Sequence, residues 1–327
     1  MWPDPEDVRR VAIVRLSSLG DVVLSEPVVR AIAARYPSAQ VAFVTRAPYH
    51  ALYKGHPRVH AVTTLEAAQG AHFDLVVDLH ARWDTRRWAW GARHRVTWQK
   101  RDILDAVGAA LRRPMRPRAG ESDAQTARML ADLDLPVPDG GLGARVTHLS
   151  GAVFANQGVL LPGGQWATKR WPLGRWTDLA DAFRAQGHSV IAMGGPGDEA
   201  VLAALSAAGV PILPSTLSIA EAATHLAGAQ WVVGNDSGLT HLAAALGRPT
   251  VVVFGPTRVS RWAPLGTHVR TVSRGLACAP CSDYGQRACS LATRLCLDDL
   301  TVAQVVEAWA TLTSMSGSPE LIAERAE

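Results

Sequence analysis

The chain holds 327 residues, 48% of them apolar, with a formal charge of +4 and four cysteines. That length and apolar content exceed what one core ordinarily organises and predict two domains of ordinary size. The longest apolar runs, such as Val251 to Phe254, are strand-length and far from the ~20 residues a membrane-crossing helix needs, and Met1 to Arg10 mixes acids and bases without the apolar stretch of an export signal, so a cytoplasmic location is expected.

Val11 to Leu16 reads as a buried strand. After Ser17-Ser18-Leu19-Gly20, the residues Val22, Val23, Val28, Val29, Ile32 and Ala33 recur at helical spacing, so the unit is strand, tight loop, helix. Open α/β sheets place ligands at such a junction. Asp21 falls in the first helical turn, where the dipole and backbone N–H groups favour a carboxylate; it is either a helix cap or a general base. The loop has one glycine, Gly20, and so lacks the G-x-G-x-x-G that admits a dinucleotide pyrophosphate, which argues against a nicotinamide-dependent dehydrogenase. Val41 to Thr45 and Leu75 to Leu79 are further strands, and the alternation implies a parallel sheet covered by helices.

Between Arg82 and Arg118 the bases Arg82, Arg86, Arg87, Arg93, Arg95, Lys100, Arg101, Arg112, Arg113, Arg116 and Arg118 face only Asp84, Asp102 and Asp105. The segment is either a footprint for an anionic partner or a solvated face whose Arg stems pack on Trp83, Trp88, Trp90 and Trp98. Ser122 to Leu133 reads as a helix, and the Pro- and Gly-rich stretch from Leu135 to Gly158 as a linker, dividing the chain into domains 1–150 and 151–327.

The second domain repeats the alternation. Strands are predicted at Val159 to Leu161, Ser189 to Met193, Trp231 to Val233 and Thr250 to Phe254, and helices at Trp176 to Ala185, Asp198 to Ala207, Ile219 to Leu226, Gly238 to Leu246 and, closing the chain, Val302 to Leu312. Three loops at strand ends carry polar groups. In Pro162 to Pro172, glycines admit an anion, Thr168 can donate a hydrogen bond, and Lys169 or Arg170 can neutralise phosphate charge. In Gly234 to His241, the N–H groups of Ser237, Gly238 and Leu239 open a helix and suit a phosphate; Asp236 doubles as a cap, and His241 binds a ligand or satisfies a buried partner. After the strand ending at Met193, either Asp198 or Glu199 could hold ribose hydroxyls. Gly255-Pro256-Thr257 follows the strand ending at Phe254.

All four cysteines lie in one stretch, Cys278, Cys281, Cys289 and Cys296. Three readings stand: a structural zinc or iron site, reduced thiols without metal, or two disulfides, the last disfavoured by a reducing compartment.

The segments "RLSSLGDVVLSEPVVRAI" at Arg15 to Ile32, "WATKRWP" at Trp166 to Pro172, "GGPGDE" at Gly194 to Glu199 and "GNDSGLTHLAAALGRPTVVVFGPT" at Gly234 to Thr257 together resemble the heptosyltransferase family, glycosyltransferase family 9, in the family's order over nearly the whole chain. The resemblance implies an α/β GT-B fold of two Rossmann-like doubly wound domains facing a central cleft, the first binding acceptor and the second nucleotide-sugar, with a Cys-rich insertion at 278–296. It implies an inverting transfer of a heptose or related sugar from an ADP-sugar to a lipopolysaccharide core or similar anionic, lipid-linked glycan, with no metal in catalysis and with peripheral contact at the inner membrane. Carried onto this sequence, it makes Asp21 the catalytic base and Thr168, Lys169, Asp236, Ser237, Gly238, Leu239 and His241 donor contacts; under the same transferase reading, Glu199 is expected to join the donor contacts, and Ser18, Gly20, Arg82 and Arg86 are expected to meet the acceptor. A Cys-x2-Cys cluster at this place belongs to the same resemblance. Arg15 departs from it, because several relatives have Lys there.

Two competing classes remain at this level. A GT-B sugar-nucleotide epimerase would share the nucleotide loop without needing a basic acceptor segment. A metal-stapled nucleic-acid-binding protein would use that basic segment, but it leaves three strand-end loops without purpose, and no nucleic-acid partner is expected.

Overall fold

A computed structural model describes residues 2–98, 122–151, 157–286, 288–291 and 293–316. They form two compact units, one from residues 2–98 with 122–149, the other beginning at Ser150.

The first unit runs β1 Arg10–Val14, α1 Leu19–Leu24, α2 Glu26–Arg35, β2 Gln40–Val44, β3 Ala61–Thr63, β4 Leu75–Asp78, α3 Trp83–Trp88, β5 His94–Thr97 and α4 Gln125–Asp132. Its five strands are all parallel, in the order β3-β2-β1-β4-β5. Val11 to Val14 of β1 are fully buried, as expected of a central parallel strand covered on both faces. The single helix predicted from Val22 to Ala33 is two. Pro27, in the first turn of α2, has no N–H to donate back to the preceding turn, so the chain breaks at Ser25, whose hydroxyl bonds the Asp21 carbonyl at 2.8 Å.

The second unit runs β6 Gln157–Leu161, α5 Leu173–Ala185, β7 Ser189–Ala192, α6 Glu199–Ala207, α7 Ile219–Gly228, β8 Trp231–Asn235, α8 Gly238–Ala245, β9 Thr250–Val253, α9 Val259–Trp262, β10 Val269–Val272, α10 Leu295–Asp298 and α11 Val302–Ser316. Its parallel strands are ordered β10-β9-β8-β6-β7, and Ile212 adds a parallel bridge to Ala192 on the outer side of β7. Counting that bridge as a rudimentary strand, both units wind alike: the first strand is central, the chain moves outward on one side, then crosses to the other side of the first strand. The crossovers put β1 beside β4 and β6 beside β8, with Val14 paired to Asp78 and Leu161 to Gly234.

Strands β3, β5 and β10 carry little sequence signal. Each lies at the edge of its sheet, is three or four residues long, and is only partly buried, so no sustained apolar run marks it. Gly158, placed in the linker by composition, belongs to β6: a Cβ there would stand 2.1 Å from the Trp231 ring. That indole joins Phe183 and Trp309 of the closing helix, with ring centroids 4.3 to 5.6 Å apart, in the core of the second unit. Among the described residues, no helix is long and apolar enough to cross a membrane.

Candidate functional site

In the first unit the polar side chains gather at the carboxyl ends of β1 and β4. Arg15, one residue beyond β1, is only 2% exposed. Its Nη2 lies 2.7 Å from Asp21 Oδ1, its Nη1 donates to the carbonyl of Leu79 just beyond β4, and its guanidinium lies 6.0 Å from the Trp98 ring centroid. The other Asp21 oxygen accepts from Ser18 N and Oγ at 3.2 and 3.0 Å. Asp21 thus fastens the start of α1 and still presents a side chain 20% open to solvent. Asp78, fully buried at the end of β4, accepts from His80 N, Ala81 N and Thr85 Oγ at 3.0, 2.8 and 2.9 Å. Burial nevertheless pushes its carboxyl above the usual range, against those hydrogen bonds. The bracket holds Ala81 in the left-handed region, at φ 58°. Sequence reading gave Arg15 no role and passed over Asp78 and the buried His80; the available signal was a charged residue ending each of two apolar strands.

Of the residues expected to meet an acceptor, Ser18 is exposed just before α1 and Gly20 half-buried in its first turn, while Arg82, which caps α3, and Arg86 on that helix are exposed. Arg87, Arg93 and Arg95 are exposed too. Trp98 is buried and donates from Nε1 to Asp132 Oδ2 at 3.2 Å, and the ring of Trp88 lies 5.8 Å from that of Phe73. Trp83 and Trp90 project instead, 74% and 73% exposed. The basic residues from Lys100 to Arg118 lie outside the described residues.

In the second unit the corresponding ends are those of β6 and β8. Asn235, the last residue of β8, is buried and staples both loops: its Oδ1 accepts from Trp171 N at 3.1 Å, and its Nδ2 donates to the carbonyls of Pro162 and Gly163 at 2.7 and 3.1 Å. Asp236 follows, 4% exposed, with Oδ2 2.7 Å from Lys169 Nζ and accepting from Thr257 Oγ at 2.7 Å, and Oδ1 3.7 Å from His241 Nε2. Burial alone would push this carboxyl up; the Lys169 ammonium and His241 outweigh it and hold the carboxyl well below the usual range. Nδ1 of His241 is buried without a hydrogen-bond partner among the described residues. Ser237, Gly238 and Leu239 are half-buried at the start of α8, whose first N–H groups have no partner within the helix.

The two acids after β7 divide their duties. Asp198 is buried and accepts from Gly164 N, Gly195 N and Arg170 Nη2 at 3.2, 3.0 and 3.2 Å, which locks the loops after β6 and β7 together. Glu199 is exposed and held low by hydrogen bonds from its own N–H, Gly197 N and Ser215 Oγ. Arg170 is absorbed into this lock, with Nε also bonding the Gly164 carbonyl at 2.7 Å, so Lys169 is the cation left beside Asp236. The Thr168 hydroxyl donates to the carbonyl of Gly285, in the cysteine-bearing segment.

The four cysteines are all free thiols. Burial, followed by the neighbouring Cys281, Cys289 and Cys278, pushes the Cys296 thiol up to about 11. Among the described residues, no group of three or more His, Cys, Asp or Glu side chains is arranged to hold a metal ion.

Residues 67–291 match the family model described as glycosyltransferase family 9 (heptosyltransferase). The chain is similar to the lipopolysaccharide heptosyltransferase 1 of Pseudomonas aeruginosa, 32% identical over 308 residues that cover 83% of this chain and 86% of that one. Among solved structures it resembles the ADP-heptose lipopolysaccharide heptosyltransferase II of E. coli, with a TM-score of 0.71 at 21% identity over 94% of this chain and 100% of that one. It also resembles an E. coli heptosyltransferase with ADP-2-deoxy-2-fluoro heptose, with a TM-score of 0.65 at 23% identity over 91% and 98% of the two chains.

Because the folded carboxyl of Asp236 is depressed, its pairing stabilises the second unit above the unfolded carboxylate value, roughly pH 4, and is lost as pH falls below it. Asp236→Asn, which strands the Lys169 ammonium, is expected to cost about 1–3 kcal/mol. Urea unfolding of both proteins should show a constant difference from pH 8 to 5 that shrinks below about pH 4; a difference that persists unchanged at pH 3 would contradict the pairing.

Proposed function

We infer the reaction from one premise: the chain belongs to glycosyltransferase family 9, the heptosyltransferase family, and is a glycosyltransferase of the two-domain GT-B class. The reading is that it moves a heptose, or a related sugar, from an ADP-sugar onto a lipopolysaccharide core or similar glycan, with inversion and without a catalytic metal. The observation that carries it is the Lys169–Asp236 pair beside the start of α8, at the crossover of the second sheet. An acceptor hydroxyl attacks the anomeric carbon, the bond from that carbon to the nucleotide diphosphate breaks, and the hydroxyl proton passes to Asp21. The charge released on the diphosphate is met by Lys169 and by the N–H groups of Ser237, Gly238 and Leu239. Glu199, at the start of α6, offers an exposed carboxylate to ribose hydroxyls, and Thr168 in the loop after β6 and His241 on α8 complete the donor contacts. In that role Asp236 keeps the ammonium oriented, and Arg15 does the same for Asp21.

Calorimetric titration with ADP-, UDP- and GDP-sugars is expected to show selective binding of the ADP-sugar, weakened at least tenfold in Lys169→Ala. Asp21→Asn should leave that binding intact and lower kcat by about 10²–10⁴. Binding of no nucleotide by the wild type would remove the donor site and bring back the nucleic-acid reading.

The acceptor on this reading is anionic and lipid-linked, met at the inner membrane surface by Arg82 and Arg86, with Ser18 and Gly20 at the start of α1. Support comes from the exposed arginines of residues 82–95 and from Trp83 and Trp90, since indoles settle at the headgroup level and arginines pair with lipid phosphates. Reversing Arg86, Arg87 and Arg93 to Glu should raise the acceptor KM tenfold or more and abolish co-sedimentation with vesicles containing anionic lipid. Unchanged values for both would refute this face as the acceptor surface.

The four cysteines are the donor set that zinc or iron prefers, and their grouping in one stretch as free thiols supports the reading of a structural ion there. Elemental analysis of protein purified without chelator should find about one zinc or iron per chain, absent from a variant with all four cysteines replaced by Ser. Equal metal in both would dismiss the site.

A further inference from the structure

The cysteine-bearing segment threads between two loops of the second unit's site. On one side, the N–H groups of Cys281 and Ser282 donate to the carbonyl of Pro256 at 3.0 and 3.2 Å, and Leu297 fills the space beside Gly255, where a Cβ would stand 2.7 Å from Leu297 Cγ. Pro256 adjoins Thr257, the hydroxyl donor to Asp236. On the other side, Arg294 Nη1 donates to the carbonyls of Ala167 at 2.7 Å and Arg170 at 3.0 Å, bracketing Thr168 and Lys169. Asp298 steadies that guanidinium, with Oδ1 3.3 Å from Nη2.

Gly285 completes the arrangement. Its carbonyl takes the Thr168 hydroxyl, and its N–H is fixed by Ser282 Oγ at 2.9 Å. Its backbone, at φ 90°, lies flat against the Lys169 stem: a Cβ would stand 2.6 Å from both Cγ and Cδ of that lysine. Only glycine accepts both the conformation and the approach. A lysine left to itself samples many rotamers, whereas one whose stem is walled and whose backbone is pinned on both sides loses little freedom when its anion arrives.

We propose that Arg294 and Gly285 are positioning residues for the transfer reaction: from the cysteine-bearing segment they hold loop 167–170 so that the Lys169 ammonium is aimed in advance at the donor diphosphate. This rests on the donor-site reading above. The segment then serves the phosphate grip, and the bond between Arg294 and two carbonyls is a requirement for donor affinity rather than for acceptor affinity.

The test compares full-length wild type, Arg294→Gln, Arg294→Lys, Gly285→Ala and Lys169→Ala by calorimetric titration with ADP, by separate KM values for ADP-sugar and acceptor, and by melting temperature. Arg294→Gln and Gly285→Ala are expected to raise the ADP Kd and the donor KM tenfold or more and to leave the acceptor KM within twofold. Arg294→Lys should recover part of the loss, because its ammonium can keep one of the two carbonyl bonds. Should Gly285→Ala melt below the assay temperature, the Arg294 pair decides alone. Wild-type ADP affinity in Arg294→Gln, with affinity lost in Lys169→Ala, overturns the positioning role and leaves the donor site standing. Equal losses in donor and acceptor KM also overturn it, since they mark a general loosening. Wild-type affinity in Lys169→Ala overturns the donor-site reading and the positioning role with it.

Discussion

Everything at the two sites depends on the parallel pairing of the first strand of each sheet with the strand that crosses to its far side, β1 with β4 and β6 with β8. Where neighbouring parallel strands send their chains to opposite faces, their carboxyl ends diverge and leave room between the loops that follow. The polar residues of the candidate sites lie at strand ends or follow them within eight residues: Arg15, Asp21, Asp78 and His80 in the first unit, and Lys169, Asn235, Asp236 and, after β9, Thr257 in the second. The strands behind them are buried apolar runs whose backbone groups are satisfied in the ladder. Each sheet is therefore a rigid base on which charged side chains can be set with little movement.

At the crossover of each unit an Arg or Lys pairs with a carboxylate, and the two pairs differ in which partner is buried. In Arg15–Asp21 the cation is enclosed and the carboxylate is partly open; in Lys169–Asp236 the carboxylate is enclosed and the ammonium is the more open partner. Enclosing a charge costs desolvation free energy that a single partner seldom offsets, and both enclosed groups have further partners, the Leu79 carbonyl for Arg15 and the Thr257 hydroxyl for Asp236. On the proposed reading the open member is the one that acts, as a carboxylate that takes a proton and an ammonium that meets a leaving diphosphate. The enclosed member fixes its position. On that reading, a direct displacement calls for each group to be fixed before charge moves.

The loops that carry these groups are tied by neutral and charged hydrogen bonds. Asn235 joins Pro162, Gly163 and Trp171; Asp198 joins Gly164, Gly195 and Arg170; and Arg294 reaches back from the cysteine-bearing segment to Ala167 and Arg170. Glycines recur where one loop presses on another, as Gly163 does on Asp198 and Gly285 on Lys169. Removing a tie is expected to loosen a charged side chain without unfolding the sheet beneath it.

Local pattern sufficed for the framework. Apolar runs of strand length, helical spacing after them and polar loops between them placed β1, β2, β4, β6, β7, β8 and β9 to within a few residues, because buried parallel strands have a strong local signature. Asp21, Lys169 and Asp236 were legible for the same reason, as polar residues at strand ends. The edge strands β3, β5 and β10 were not, since half-buried backbone pairing leaves little mark on side chains. Composition alone could not separate Asp198, consumed in a lock, from Glu199, open to solvent, nor Arg170 from Lys169; those duties depend on which loops meet. Nor could it show that Arg15 reaches Leu79, 64 residues away, or that Gly285 walls the stem of Lys169. Burial and partner choice arise only when distant segments are brought together, and it is there that the tertiary structure, not the sequence pattern, decides what a charged side chain does.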